Sequence, residues 1–157
     1  MEPTEIRTRI QSDMVNAMRA KDSELLGTIR LLMAAIKQCE IDKRTDGQRF
    51  LLDDLGIVSV VEKLIKQRNE SIEQFKAGNR PDLVSKEEAE IRILQNYLPP
   101  QLTEQETDEL ISQALKESGA ISMKDMGKVM AILKNSLQGR ADISAVSAKV
   151  KAHLVNA

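Results

Sequence analysis

Two adjacent prolines, Pro99 and Pro100, constrain the fold of this 157-residue chain more than any other feature. Proline lacks a backbone N–H donor and biases the preceding residue away from the α conformation, so no regular helix can run through the pair. Apolar residues recur at helical spacing over long stretches before the prolines and over short stretches after them. We therefore expect two lobes, residues 1–98 and residues 99–157, joined at a stiff proline elbow.

The first lobe has the pattern of four amphipathic helices. Cap and turn signals place the first two helix starts near Pro3 or Thr4 and within Lys21–Ser23. The helical pattern resumes from Leu52 onward, and a fourth helix follows the turn at Ala77–Pro81. Gly56 leaves the start of the third helix open, because glycine inside a helix costs about 1 kcal/mol relative to alanine. We expect the second and third helices to form a long antiparallel hairpin, with the first and fourth packed against it.

The second lobe has the pattern of three short helices. Gly119 and Gly139 are expected to end the first two of them. The start signals are, in order, Thr103 with Glu106, Ser122 with Asp125, and Asp142 or Ser144. Short helices joined by glycine turns form a compact unit. The expected fold class is therefore all-α: a four-helix N-terminal lobe followed by a small three-helix C-terminal lobe.

Two residues on apolar helix faces have both a structural and a functional interpretation. Cys39 is the only cysteine, which excludes an internal disulfide and a zinc site built from cysteines. Its place among apolar residues favours a core filler over a reactive thiol. Arg68 is the polar member of an otherwise apolar stripe, which favours an ion pair with a neighbouring helix over a ligand-binding arginine.

The composition points to a cytoplasmic protein. A lone cysteine suits a reducing compartment, and the first residues show no basic segment followed by an apolar one. No apolar run approaches the ~20 residues that span a bilayer, so we expect no membrane association. The formal net charge of −1 argues against a surface that is basic throughout, and no DNA binding is expected.

The sequence shows little catalytic machinery. His153 is the only histidine and lies near the C-terminus, a poor position for a general base that must be held rigidly. The carboxylates lie mostly beside lysine or arginine on helix faces, which is typical of solvated helices. Neither a Walker loop nor a strand followed by a GxGxxG motif is present. We expect no catalytic residue, no metal and no cofactor.

Charge reverses sharply at Gly119. The helix before it is acidic, and the segment after it is basic. The candidate RNA-binding residues are Lys124, Lys128, Lys134, Arg140, Lys149 and Lys151. Aromatic residues make up 2% of the chain, which disfavours base stacking and therefore a reader of single strands. A folded RNA held through its shape and phosphates fits better, although a solvated helix exterior has the same charge pattern.

Several short motifs resemble a known family. Met126–Met130 and Gly139–Asp142 are similar to the C-terminal domain of the GatB component of the aspartyl/glutamyl-tRNA amidotransferase. The first half resembles the YqeY proteins of the GatB/YqeY family, which carry such a tail behind a helical domain. Its matching positions are Asp13-Met14, Ala17-Met18, Lys21-Asp22, Arg68 with Ser71-Ile72 and Phe75, Arg80 with Asp82-Leu83, Tyr97-Leu98-Pro99 and Gln101-Leu102. Leu55-Gly56 and Ile143 depart from the family pattern.

The resemblance implies an all-helical protein whose tail belongs to a module that touches tRNA in the amidotransferase. It also brings the label of a glutamine-dependent carbon–nitrogen ligase, yet the kinase-like catalytic portion and the serine–lysine amidase component are absent from this chain. We therefore expect a non-catalytic protein that binds tRNA, or a tRNA-handling complex, through the basic face of its last two helices. Two alternatives stay open: an amidotransferase-like enzyme or subunit, and a protein-interaction module that uses the N-terminal hairpin.

Overall fold

A computed structural model of the protein describes residues 4–155, and within them the fold is all-α, as expected. No strand occurs in this part of the chain. Four α-helices precede the prolines and three follow them. They are α1 (Glu5–Arg19), α2 (Ser23–Asp42), α3 (Asp54–Ala77), α4 (Pro81–Gln95), α5 (Glu104–Ser118), α6 (Met126–Leu137) and α7 (Ile143–Val155), with a 3₁₀ turn at Met123–Asp125 before α6.

The chain divides between Leu98 and Pro99 into two compact units, here called the N-terminal and C-terminal units. Each has its own apolar core. The fully buried residues of the first core include Ile29, Leu32, Ile57 and Val61, and those of the second include Val129, Leu137 and Val150. Cys39 packs half-buried against the first core, which confirms its interpretation as a core filler. No helix among residues 4–155 is long and apolar enough to cross a membrane.

Side-chain caps fix where the helices of the N-terminal unit begin. The Thr4 hydroxyl accepts from the N–H of Arg7, and the Asp22 carboxylate accepts from the N–H of Leu25. The start of α1 near Thr4 and the N-cap of α2 within Lys21–Ser23 were both expected from the sequence.

The start of α3, which the sequence left open, is set by Asp53. Its carboxylate accepts from the N–H of Gly56 at 2.8 Å. A Cβ at Gly56 would lie 2.8 Å from Cδ2 of the buried Leu52. Glycine in this first turn therefore makes room for a core side chain.

The most extensive helix pairing joins α3 to α4, and α2 contacts both of them. Arg68 Nε donates to Glu90 at 2.8 Å and lies 4.0 Å from a Glu87 carboxylate oxygen. Arg68 and Glu90 lie at equal sequence separation on either side of Asn79, so α3 and α4 form the long antiparallel hairpin, whereas the sequence pattern predicted it between α2 and α3. The Arg68 side chain is 12% exposed, which confirms the predicted ion pair between helices.

A buried carboxylate joins three segments of the N-terminal unit. Glu40 on α2 is 7% exposed, and its Oε2 accepts from the Leu52 N–H at 2.7 Å and from the Arg7 guanidinium on α1. Arg7 also donates to the Leu52 carbonyl at 3.2 Å. Glu40 thereby holds α1 and the segment before α3 against α2.

A second polar contact ties the end of α4 to α1. Tyr97 is 2% exposed, and its hydroxyl donates to Asp13 at 2.7 Å. The Arg9 guanidinium lies 5.6 Å from the centre of the Tyr97 ring and donates to the Asn96 carbonyl at 2.8 Å. Burial raises the pKa of the Tyr97 hydroxyl, and its hydrogen bond to Asp13 raises that pKa further.

Replacing Glu40 with alanine is expected to lower the free energy of unfolding by about 3 kcal/mol. The change leaves a largely buried Arg7 charge and the Leu52 N–H without their acceptor, while alanine itself favours the helix. Urea denaturation monitored by circular dichroism measures the loss. Glu70→Ala, at an exposed position on α3, is the matched control and should change stability by less than about 0.5 kcal/mol. Equal effects of the two variants would contradict the assigned role of Glu40.

The chain has one tyrosine and no tryptophan, so tyrosinate absorbance reports Tyr97 alone. Because its folded-state pKa is raised, the native hydroxyl should stay protonated at about pH 11, whereas the chain unfolded in urea should ionise near pH 10. The protonated Tyr97 hydroxyl contributes its full share to the free energy of unfolding below about pH 10. This contribution is lost as the pH rises further. A native titration that coincides with the unfolded one would disprove burial of the hydroxyl.

We propose that the two units are separate folding domains, because each encloses its own apolar core. A fragment spanning residues 99–157 is expected to be helical and to melt cooperatively by circular dichroism. Leu137→Ala, which removes a fully buried side chain, should abolish that transition in the fragment. A fragment that is unfolded while the full chain melts in a single transition would refute independent folding.

Candidate functional site

The C-terminal unit separates acidic and basic residues onto different helices. α5 is capped by Thr103, whose hydroxyl accepts from the Glu106 N–H, and it carries most of the acidic residues. The left-handed Gly119, with φ of 64°, ends it. The basic candidates then lie on the 3₁₀ turn, α6, α7 and the turn between these two helices.

Asp125 shapes the entry into α6. Its carboxylate accepts from the N–H groups of Ile121 at 3.0 Å and Ser122 at 3.3 Å. These bonds, led by that from Ile121, lower the pKa of Asp125, and the nearby Lys128 charge lowers it further. The predicted Ser122–Asp125 cap is confirmed, with one 3₁₀ turn added before the helix.

Arg140 takes part in a set of hydrogen bonds that hold residues 100–102 against the turn at Gly139. Gln101 Nε2 donates to the Gly139 carbonyl at 2.6 Å, and the Leu102 N–H donates to the Arg140 carbonyl at 2.8 Å. Arg140 Nε in turn donates to the Pro100 carbonyl at 3.3 Å. Gly139 supplies the positive φ, 75°, that this turn requires. Half-buried Arg140 therefore helps to hold the turn between α6 and α7 against residues 100–102.

Lys149 forms ion pairs with two carboxylates of the acidic helix α5. Its Nζ lies 2.8 Å from an Asp108 carboxylate oxygen and 3.3 Å from one of Glu104. The bond to Asp108, followed by that to Glu104, raises the pKa of Lys149. This lysine joins α7 to α5, and its charge is already balanced within the protein.

The other candidates, Lys124, Lys128, Lys134 and Lys151, are exposed. Lys124 is on the 3₁₀ turn and Lys128 is in the first turn of α6, four residues further along, so we expect their charges to act on the same region of surface. Lys134 lies about 120° around the helix axis from Lys128. Lys151 is on α7. Lys124 and Lys128, four residues apart in sequence, are here called the cation pair, and Lys134 and Lys151 lie outside it.

Two apolar residues beside this pair were not predicted from the sequence. Ile121 is 78% exposed, and Met123 is 40% exposed. Both lie in the segment that connects α5 to α6, next to Lys124. The sequence could have indicated their exposure, because both lie outside the apolar stripes of the helices, where core residues are expected. Exposed apolar groups therefore border the cation pair.

His153, the candidate for acid–base chemistry that the sequence disfavoured, is exposed near the end of α7. Across residues 4–155, no group of three or more histidine, cysteine, aspartate and glutamate side chains is placed to hold a metal ion.

Comparison with characterised sequences finds several fungal relatives. The chain is 37% identical over 148 residues to "altered inheritance of mitochondria protein 41, mitochondrial" of Pyrenophora tritici-repentis, an alignment that covers 91% of this chain and 77% of the relative. The protein of the same name in Lachancea thermotolerans is 37% identical over 147 residues, with coverage of 90% and 76%. That of Vanderwaltozyma polyspora is 32% identical over 123 residues, with coverage of 74% and 64%.

The names of these relatives place them in mitochondria, which contradicts the cytoplasmic location expected from the sequence. The single cysteine was one of the two grounds for that expectation. A lone thiol excludes an internal disulfide in any compartment, so it does not distinguish the cytosol from the inside of an organelle.

The family comparison agrees with the motifs. The family described as Yqey-like protein matches residues 7–154, which include the helices of both units. On this match and on the alignment to the Pyrenophora relative, the chain belongs to the YqeY-like family.

Proposed function

We propose that this YqeY-like protein binds tRNA through the exposed lysines of its C-terminal unit and acts as an adaptor rather than a catalyst. The supporting observation is the distribution of charge after Gly119. Within the described residues of this unit, the acidic α5 forms ion pairs with Lys149, whereas Lys124, Lys134 and Lys151 form none. Lys128 lies near the Asp125 carboxylate.

Lysine contacts of this kind favour the phosphate backbone over the bases. A lysine ammonium is a flexible point charge, which suits phosphate oxygens and carries little sequence information. Residues 99–157 contain no phenylalanine, tyrosine or tryptophan, so aromatic stacking on bases is not available to this unit. Binding should therefore depend on the shape and charge of a folded RNA and weaken steeply with salt.

The resemblance of the tail to the amidotransferase domain supports tRNA as the nucleic acid. Met126–Met130 belongs to the resembling segment and contains Lys128, one of the paired cations. The apolar Ile121 and Met123 next to the pair offer contacts to ribose or to unpaired bases that do not require aromatic side chains.

Neutralising the cation pair provides the test. In the 157-residue chain, the double variant Lys124→Gln with Lys128→Gln should weaken binding to unfractionated tRNA. It should also reduce the slope of log affinity against log salt by about 2, since each lost phosphate contact removes about one unit. Fluorescence anisotropy at several salt concentrations measures both quantities.

Lys116→Gln is the matched control, because Lys116 is an exposed lysine of the same unit on the acidic α5. It should leave affinity and slope unchanged, and duplex DNA of equal length should compete poorly. Absence of tRNA binding by the unaltered protein at low salt would reject the proposal, as would equal losses in the double variant and the control.

A further inference from the structure

The N-terminal unit contains a pocket that the proposed function does not use. It has a volume of about 360 Å³ and lies between α1, α2 and the segment that leads to α3. Buried Ile10 and Ile36 and half-buried Met33 supply an apolar lining. Phe50, which is 37% exposed, lines the pocket from the connecting segment. A pocket of this size suits a small molecule with an apolar body.

The charged residues around the pocket are strongly biased towards cations. Its lining includes one carboxylate, Glu40, and four cationic side chains: Arg7, Lys37, Arg44 and Arg49. The Glu40 charge is balanced by Arg7. Lys37, Arg44 and Arg49 are exposed and form no ion pair within residues 4–155. The pocket therefore carries a clear excess of positive charge.

Helical spacing explains why these charges gather at one place. Met33, Lys37 and Glu40 recur at steps of four and three along α2, so they share one face. Arg44 lines the pocket from the loop that follows the helix. Arg49 and Phe50 reach the pocket from the segment that is tied to Glu40 through Leu52. Asp42 and Asp46, the other carboxylates of this region, do not line it, and Asp42 accepts from Gln38.

We propose that this pocket binds a small amphipathic anion, in which a phosphate or carboxylate group is attached to an aromatic or aliphatic body. The anionic group pairs with Arg44, Arg49 and Lys37, since arginine binds planar and tetrahedral oxyanions through paired donors. The body packs on Met33, Ile36 and Phe50. Glu40 serves as a positioning residue that holds Arg7 and the Arg49–Phe50 segment in place.

1-Naphthyl phosphate is the first probe, because it combines an aromatic body with one phosphate. Isothermal titration of the 157-residue chain should show at least tenfold tighter binding of this probe than of 1-naphthol or inorganic phosphate. 1-Naphthol lacks the phosphate group, and inorganic phosphate lacks the aromatic body. A second titration with 1-naphthoate shows whether the pocket binds a carboxylate or a phosphate more tightly. At least tenfold tighter binding of either anion than of 1-naphthol meets the prediction.

Arg49→Gln and Arg44→Gln should each weaken binding of the probe about tenfold, as expected for loss of one charge-assisted contact. Phe50→Ala should weaken it by loss of apolar contact while keeping the charge. Arg30→Gln, an exposed arginine on α2 outside the pocket, is the matched control and should leave affinity unchanged.

Two results would overturn the proposal. One is equal binding of 1-naphthol and both naphthyl anions by the unaltered protein, which would make the charges irrelevant. The other is a loss of affinity for the probe in Arg30→Gln as large as that in Arg49→Gln, which would show that the overall charge of the protein, and not the pocket, determines binding. Circular dichroism of each variant verifies that the helices are retained.

Discussion

The Glu40 carboxylate is the interaction on which the N-terminal unit depends. A buried charge is costly unless it is paired and hydrogen-bonded, so it can be accommodated only where its donors are held. Glu40 obtains them from Arg7 on α1 and from the Leu52 N–H, two sites far apart in sequence. The hydrogen bond from Leu52 to Glu40 also positions the residues just before α3, where Asp53 caps the helix. The same carboxylate therefore sets the packing of α1 and α2 and shapes one wall of the basic pocket.

The C-terminal unit is stabilised differently. Its core is aliphatic, and its polar ties are the backbone and side-chain bonds that clamp residues 100–102 to the turn at Gly139–Arg140. The ion pairs of Lys149 lie at the surface, where they contribute little to stability. Most of the remaining lysines are thus not needed to hold the unit together. Charges that the fold does not use are the ones available for an external phosphate, which is the physical basis of the proposed tRNA interaction.

The sequence predicted the helices and their caps because these features are local. Thr4, Asp22 and Thr103 each act within three residues of their own position. The polar contacts that join helices could not be predicted, since Glu40 and Lys149 look like ordinary solvated charges until their distant partners are known. Arg68 was the exception, because it interrupts an apolar stripe and so needed a partner. The basic candidates were recognised as a set, but periodicity alone could not separate paired from exposed lysines.

The motifs that carry the family resemblance consist largely of structural residues. Tyr97 bonds to Asp13, Arg68 pairs with Glu90, and Gln101 bonds to the Gly139 carbonyl. Such residues identify the fold and say little about what the protein binds. Lys128 differs from them, because it belongs to the resembling Met126–Met130 segment and yet is exposed, outside the polar ties that join the helices. The proposed tRNA interaction gives this exposed motif position a phosphate contact, and in that proposal Lys128 is the residue that links the family pattern to binding.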